Sequence, residues 1–114
     1  ADAERSARGA GRYVALEFYY AEIWARMGLG EIERQWVAAE VFDSATHFGR
    51  GWSARFAQHT INLCARSNGS VAPVKVDGAF GPVTRAALNA CARRDYLNTL
   101  AWLQGWEGGR YAKL

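Results

Sequence analysis

Glycine punctuation limits what this chain can fold into more than any other feature of its sequence. Gly28 and Gly30, then Gly49 and Gly51, then Asn68-Gly69, close runs whose apolar residues recur with the period of an α-helix. Leu16, Tyr20, Ile23, Trp24 and Met27 stand at i, i+4, i+7, i+8 and i+11, which puts them on one helical face. Ala38, Val41, Phe42 and Ala45 repeat that spacing between Glu31 and Phe48, with Glu31 and Glu33 near the start, where the helix dipole favours negative charge. A third stripe is formed by Ala54, Ala57, Ile61 and Cys64, and Ser53 is placed to cap it. Short helices joined by tight turns are the expected result.

The stretch 71–80 departs from this rhythm. Val71, Val74 and Val76 favour extended backbone, Pro73 blocks a helix and Asp77-Gly78 is a strong turn dipeptide, which predicts a short two-stranded hairpin or an ordered loop. Gly81-Pro82 then opens a fourth helix with proline at its favoured first position and Val83, Ala87, Ala90 and Cys91 as the inner face. A fifth is expected from Asp95 through Tyr96, Leu100 and Leu103. Gly105-Trp106-Glu107-Gly108-Gly109 follows, and glycine costs about 1 kcal/mol of helix propensity each time. That segment predicts a loop with Trp106 packed back on the body. Residues 1–11 are small, polar and without apolar period, and are expected to form a flexible N-terminal segment ahead of a single helical domain over 12–114.

Composition narrows the function classes. Half of the 114 residues are apolar and 22% are charged, which fits one globular domain and excludes a disordered chain. A net charge of +3 and a pI near 9.1 suit an anionic partner, and bacterial wall, with its carboxylates and anionic polymers, is one such partner. No run of five or six basic residues occurs, so nucleic acid is not an expected partner. No stretch approaches the roughly 18 apolar residues of a membrane span. The opening Ala1-Asp2-Ala3-Glu4-Arg5 lacks the order of a signal peptide. Cys64 and Cys91 sit at helical spacing without any CxxC or Cys/His pattern. They read as buried free thiols, with a disulfide as the alternative, and no cofactor or metal is called for.

The most specific string is Val76-Asp77-Gly78-Ala79-Phe80-Gly81-Pro82-Val83-Thr84-Arg85-Ala86-Ala87. Asp77 can accept backbone N–H bonds across a turn, Gly78 and Gly81 can take positive φ, and Phe80 can plug the core. Pro82 can launch a helix, and Thr84 brings a hydroxyl to its first turn. The string resembles the DGxxGPxT motif of small peptidoglycan-binding modules. Together with Tyr20-Ala21-Glu22-Ile23-Trp24, Val41-Phe42-Asp43-Ser44-Ala45-Thr46-His47-Phe48-Gly49 and Ala57-Gln58, the chain resembles the C-terminal half of the glycoside hydrolase family 108 lysozymes over roughly residues 18–92.

That resemblance implies an all-α, lysozyme-like bundle of about five helices and a peptidoglycan partner, either glycan or stem peptide. It also implies a bacterial or phage endolysin, made in the bacterial cytoplasm and acting at the periplasm or cell wall. The family's catalytic glutamate lies well before the Tyr/Trp helix, in a Glu followed by glycines, and Glu4-Arg5-Ser6 does not provide that pattern. Where the family commonly has asparagine, this chain has His47. Wall recognition is therefore the expected function. An N-acetylmuramidase whose catalytic glutamate lies in a lobe outside this chain is the alternative, and a small helical DNA- or protein-interaction module is the second alternative.

Candidate binding residues follow from side-chain chemistry. Among five Trp, five Tyr and five Phe, the aromatics Trp24, Trp36 and Trp52 are expected to offer faces to a sugar, with core packing as the competing role. Asp43 and His47, one helical turn apart, could reach a ligand in a groove or form a hydrogen-bonded pair in the bundle. Glu17, Glu22, Glu40 and Asp43 supply carboxyl groups, but their spacing marks no general acid. Trp102 and Trp106 read as packing residues, and His59 as a surface or core-edge histidine.

Overall fold

The computed structural model describes the backbone of residues 2–107 and the side chains of residues 14–106. Five helices follow one another: α1 Asp2–Met27, α2 Gln35–Phe48, α3 Arg50–Ser67, α4 Pro82–Arg94 and α5 Tyr96–Glu107. A single 3₁₀ turn, Leu29–Glu31, lies between α1 and α2. No strand occurs among the described residues, so the chain is an all-α bundle.

The centre of the bundle is α3, which packs on α2, α4 and α5. Its predicted stripe of Ala54, Ala57, Ile61 and Cys64 is fully buried, and the two alanines let the neighbouring helices approach closely. Leu29, Val37, Val41, Leu88 and Cys91 close around it. Burying a side chain such as Ile61 or Leu88 stabilises the fold by about 1.5–3 kcal/mol. The inner face of α4 differs from expectation in part: Cys91 is buried and Ala87 packs partly against the core, but Val83 is exposed, and Thr84, Leu88 and Ala92 complete the inward face. In α1, Ile23 and Met27 enter the core while Leu16 and Tyr20 stay largely exposed, so only the C-terminal end of the predicted stripe is buried. Helical backbone reaches back to Asp2, well before Arg12, because the Ala- and Arg-rich start favours helix without needing an apolar stripe.

Two local expectations are corrected. Glu31 and Glu33 do not lie in the first turn of α2; they occupy the connector and pair with Arg85 and Arg93 of α4. Ser53 is not the N-cap of α3. Gly49 takes that position, at φ 92° and ψ 158°, and the same residue caps the end of α2 by donating its N–H to the Ala45 carbonyl. Ser53 instead lies inside the helix, where its hydroxyl donates to the Val41 carbonyl at 2.8 Å and receives the Ser44 hydroxyl at 2.6 Å. A buried hydroxyl needs such a partner, and here the need ties α2 to α3.

The segment between α3 and α4 is an ordered loop rather than a hairpin. Its extended backbone is partnered by a side chain: Asn62 donates from Nδ2 to the Val74 carbonyl and accepts the Val74 N–H at Oδ1, at 3.0 and 2.8 Å. The amide thus supplies what a second strand would have supplied. Asn89 of α4 does the same for the α1–α2 connector, donating to the Glu31 carbonyl and accepting the Glu33 N–H.

Helix α5 runs on through Gly105 and Trp106 to Glu107, where a loop was expected. Asp95 caps its start by accepting the Asn98 N–H. The far end is held because Trp106 packs beside His59 and donates from Nε1 to the Thr60 hydroxyl at 3.0 Å. Trp106 is thus the packing residue predicted; Gly108 and Gly109 lie outside the described residues. Trp102 packs against the core. Cys64 and Cys91 are buried and free, and burial pushes the Cys91 thiol up.

A largely covered cation fastens the connector to α4. Arg85 has only 13% of its side chain exposed; its Nε donates to Glu31 at 2.8 Å and its Nη1 to the Met27 and Phe80 carbonyls at 3.2 Å. The guanidinium lies directly over Gly28, which has φ 62°, and a Cβ there would stand 2.8 Å from the Arg85 Cζ. Glycine is needed at this point for both reasons. Gly28→Ala is therefore expected to lower stability by about 1–3 kcal/mol, read as a lower denaturant midpoint at unchanged slope. Neither thiol is expected to react with an aromatic disulfide reagent in the native protein, and both should react once it is unfolded.

Candidate functional site

The loop carrying Asp77-Gly78 is positioned by Gln58, which is buried in the middle of α3 with 1% exposure. Its Oε1 accepts the Asp77 and Gly78 N–H groups, both at 3.1 Å. Its Nε2 donates to the Asp77 carboxylate at 2.8 Å, the Ala79 carbonyl at 3.0 Å and the Thr84 hydroxyl at 3.3 Å. Asp77 closes the turn by accepting the Ala79 N–H at 2.9 Å. These bonds, the Ala79 N–H first and the Gln58 amide second, hold the Asp77 carboxyl below the usual carboxylate range. Asp77, Gly78 and Thr84 therefore build the loop as expected; Gly81 precedes α4 in extended backbone at φ −102° instead of the positive φ expected of it, and Pro82 starts the helix.

The loop leans on the first turn of α3. Gly78, at φ 76°, is so close that a Cβ would stand 3.2 Å from the Arg55 Nε and 3.4 Å from the Gly51 carbonyl. Beside this contact runs an open groove of three adjoining depressions, of about 380, 390 and 330 Å³. The first lies against Tyr19, Glu22, Ile23 and Arg26 of α1, opposite Gly49 and Arg50. The second shares Arg26 and Arg50 with the first and reaches Gly51, Gly78 and Phe80. The third shares Gly51 and Gly78 with the second and ends on Trp52, Arg55 and Asp77.

Of the aromatics singled out in the sequence, Trp52 is the one in this groove. Its ring is 56% exposed, tilts against Phe56 at 6.1 Å between centroids, and has the Arg55 guanidinium 5.3 Å from its centre. Trp24 packs edge-on to Phe42 at 5.6 Å, where it helps seat α1 on α2. Trp36 is 70% exposed at the start of α2 and lines none of the three depressions. Asp43 and His47 also lie outside them. They form an exposed pair on α2, with the His47 Nδ1 2.9 Å from the Asp43 carbonyl oxygen and 3.5 Å from its carboxylate. The structure thus joins Trp52 to the Asp77-Gly78 loop and leaves Trp24, Trp36, Asp43 and His47 elsewhere.

Several residues of the groove were not singled out in the sequence: Tyr19, Arg26, Arg50 and Arg55. Isolated arginines at helix surfaces carry no spacing that marks them. Gln58 did carry a signal, because it stands beside Ala57 in an otherwise apolar stripe, where a polar side chain must have partners.

The groove offers aromatic surface, guanidinium groups and backbone, and no carboxyl group shaped for acid catalysis. Glu22 is paired to Arg26 at 2.6 Å, and Asp77 is bound into its turn. The carboxyls of Glu33 and Asp77 are both displaced downward, Glu33 chiefly by its hydrogen bond to Arg93, whereas a general acid needs the opposite displacement. Among the described residues no three His, Cys, Asp or Glu side chains converge to hold a metal ion. Comparison with family models, with curated proteins and with solved structures returned no match.

Gln58→Leu is expected to unfasten the Asp77 loop and lower stability by about 2–4 kcal/mol, because it leaves the Asp77 and Gly78 N–H groups without partners. The Asp77 carboxyl, depressed in the folded state, contributes stability above the unfolded carboxyl value of about 4. That contribution is lost as pH falls through the lower folded value. Asp77→Asn should therefore be less stable than the parent at neutral pH, and its thermal midpoint should fall less steeply on acidification below about pH 4.

Proposed function

We propose that this chain recognises peptidoglycan through the groove between α1, the start of α3 and the Asp77-Gly78 loop. The observation that carries the reading is the placement of Trp52 beside the DGxxGPxT-like loop, with both on one open groove. An exposed indole on a rigid helix is a good platform for a sugar ring, since it buries area at small cost in side-chain entropy. Gly51, where a Cβ would meet nothing within 4 Å, lets a ligand approach the backbone, and the Gln58 bonds keep the Asp77-Gly78 loop in place beside it before anything binds. A groove open along three adjoining depressions suits an extended polymer better than a compact metabolite.

Recognition is favoured over cleavage on chemical grounds. Cleaving a glycosidic bond takes two carboxyl groups about 5–10 Å apart across the bond, one of them held protonated. The carboxyls bordering this groove, Glu22 and Asp77, are each engaged by a cation or by backbone and amide donors. On this reading the groove positions wall and leaves it intact.

Co-sedimentation with purified sacculi tests the reading, with released reducing sugar measured in the same samples. Retention without sugar release is expected. Trp52→Ala should weaken retention roughly tenfold, whereas Trp36→Ala, outside the groove, should leave it unchanged. Gly51→Leu supplies a steric test, because a Cβ at Gly51 meets nothing within 4 Å and the helix gains propensity. That variant should fold at least as well as the parent and lose retention. An intact Gly51→Leu protein that still sediments with sacculi would remove the groove from the proposal.

A further inference from the structure

The groove is more cationic than a site for neutral N-acetyl sugars requires. Arg26, Arg50 and Arg55 all border it. Arg26 is neutralised within its own helix by Glu22, but among the described residues neither Arg50 nor Arg55 has a carboxylate partner. Asp77, the remaining acid at the rim, turns its carboxylate into Gln58 and the Ala79 N–H, which leaves Arg55 unneutralised. Arg55 stacks beside the Trp52 ring, which fixes the guanidinium plane next to the aromatic face. Arg50 stands on the other side of Gly51, bordering the first two depressions, so the two free guanidiniums flank the glycine floor.

From this arrangement we infer that the floor between Arg50 and Arg55 holds a free carboxylate of the wall's stem peptide, with Trp52 covering the neutral part of the ligand beside it. The inference rests on the wall-recognition reading and names which part of the wall the groove selects. A planar guanidinium presents two parallel N–H donors that match a carboxylate. Gly51 has no side chain to keep that carboxylate away from the backbone. Long-range attraction from the net charge of +3 acts in the same direction. The amide and hydroxyl oxygens of the glycan can accept hydrogen bonds from these guanidiniums but leave their charge uncompensated, which favours an acid over a purely neutral sugar as the occupant.

The deciding experiment titrates the full chain with two disaccharide-peptides from peptidoglycan, one with free stem-peptide carboxylates and one in which those carboxylates are amidated, following Trp fluorescence. The free acid is expected to bind at least tenfold more tightly than the amide. Arg50→Gln and Arg55→Gln should each weaken free-acid binding roughly three- to tenfold and narrow the preference for the acid over the amide. Both positions are solvent-exposed, and an unchanged thermal midpoint will show that each variant is folded. Equal affinity for acid and amide, with sacculi still retained, overturns the carboxylate site and leaves wall recognition standing. Sacculi that lose the protein once their phosphate polymers are stripped away would assign the two arginines to phosphate and also overturn it. A protein that sediments with no form of wall overturns the parent reading and this site together.

Discussion

The Gln58 carboxamide is the interaction on which the rest of the arrangement depends. It sits where the apolar period of α3 calls for a hydrocarbon side chain, and it uses both its oxygen and its nitrogen on the segment that follows. The loop from 71 to 81 has no partner strand and little apolar surface beyond Val71, Val74 and Phe80. Its shape is therefore dictated by hydrogen bonds from α3. An amide buried without those bonds would cost the full desolvation of its polar atoms, so loop and amide hold each other in place.

The same solution recurs wherever the chain leaves regular structure. Asn62 pairs with Val74 as a neighbouring strand would, and Asn89 clamps the connector before α2. Arg85 collects carbonyls from two separate turns and an acid from a third place. Each of these side chains projects from a helix and satisfies backbone that no ladder reaches, which is what buried polar backbone requires. The bundle thus keeps irregular segments rigid without a sheet, and rigidity is what a recognition groove assembled from a loop and two helices needs.

How far this was legible in the sequence depends on which force sets each feature. Apolar periodicity located all five helices and the buried stripe of α3, because burial acts through spacing along one helix. Tertiary pairing overrode local preference where the two competed. Glu31 and Glu33 read as dipole-favoured residues opening α2, yet their partners are arginines far along the chain on α4. Ser53 had the chemistry of a cap, but a second hydroxyl and a carbonyl on α2 claimed it. Gly105 was expected to end α5, and the Trp106 contact to Thr60 carries the helix past it. The candidate site was half legible: Trp52 and the Asp77-Gly78 turn could be picked by type and context. Arg26, Arg50 and Arg55 gain their meaning only when the turn between α2 and α3 brings them to one groove.

That turn is a single residue. Gly49 ends α2 and begins α3 with its own N–H and carbonyl, at a positive φ. The direction of α3 relative to α2 is consequently set by one pair of dihedral angles, with no slack on either side. An added or deleted residue at this joint would rotate α3 by roughly 100° about its own axis, from 3.6 residues per turn, turning Gln58 and Trp52 away from the loop at once. The loop tip near Ser70 can absorb a change of length far more freely than this joint. The spacing from Ser44 to Ser53 is accordingly the part of the sequence where the architecture does not tolerate insertion.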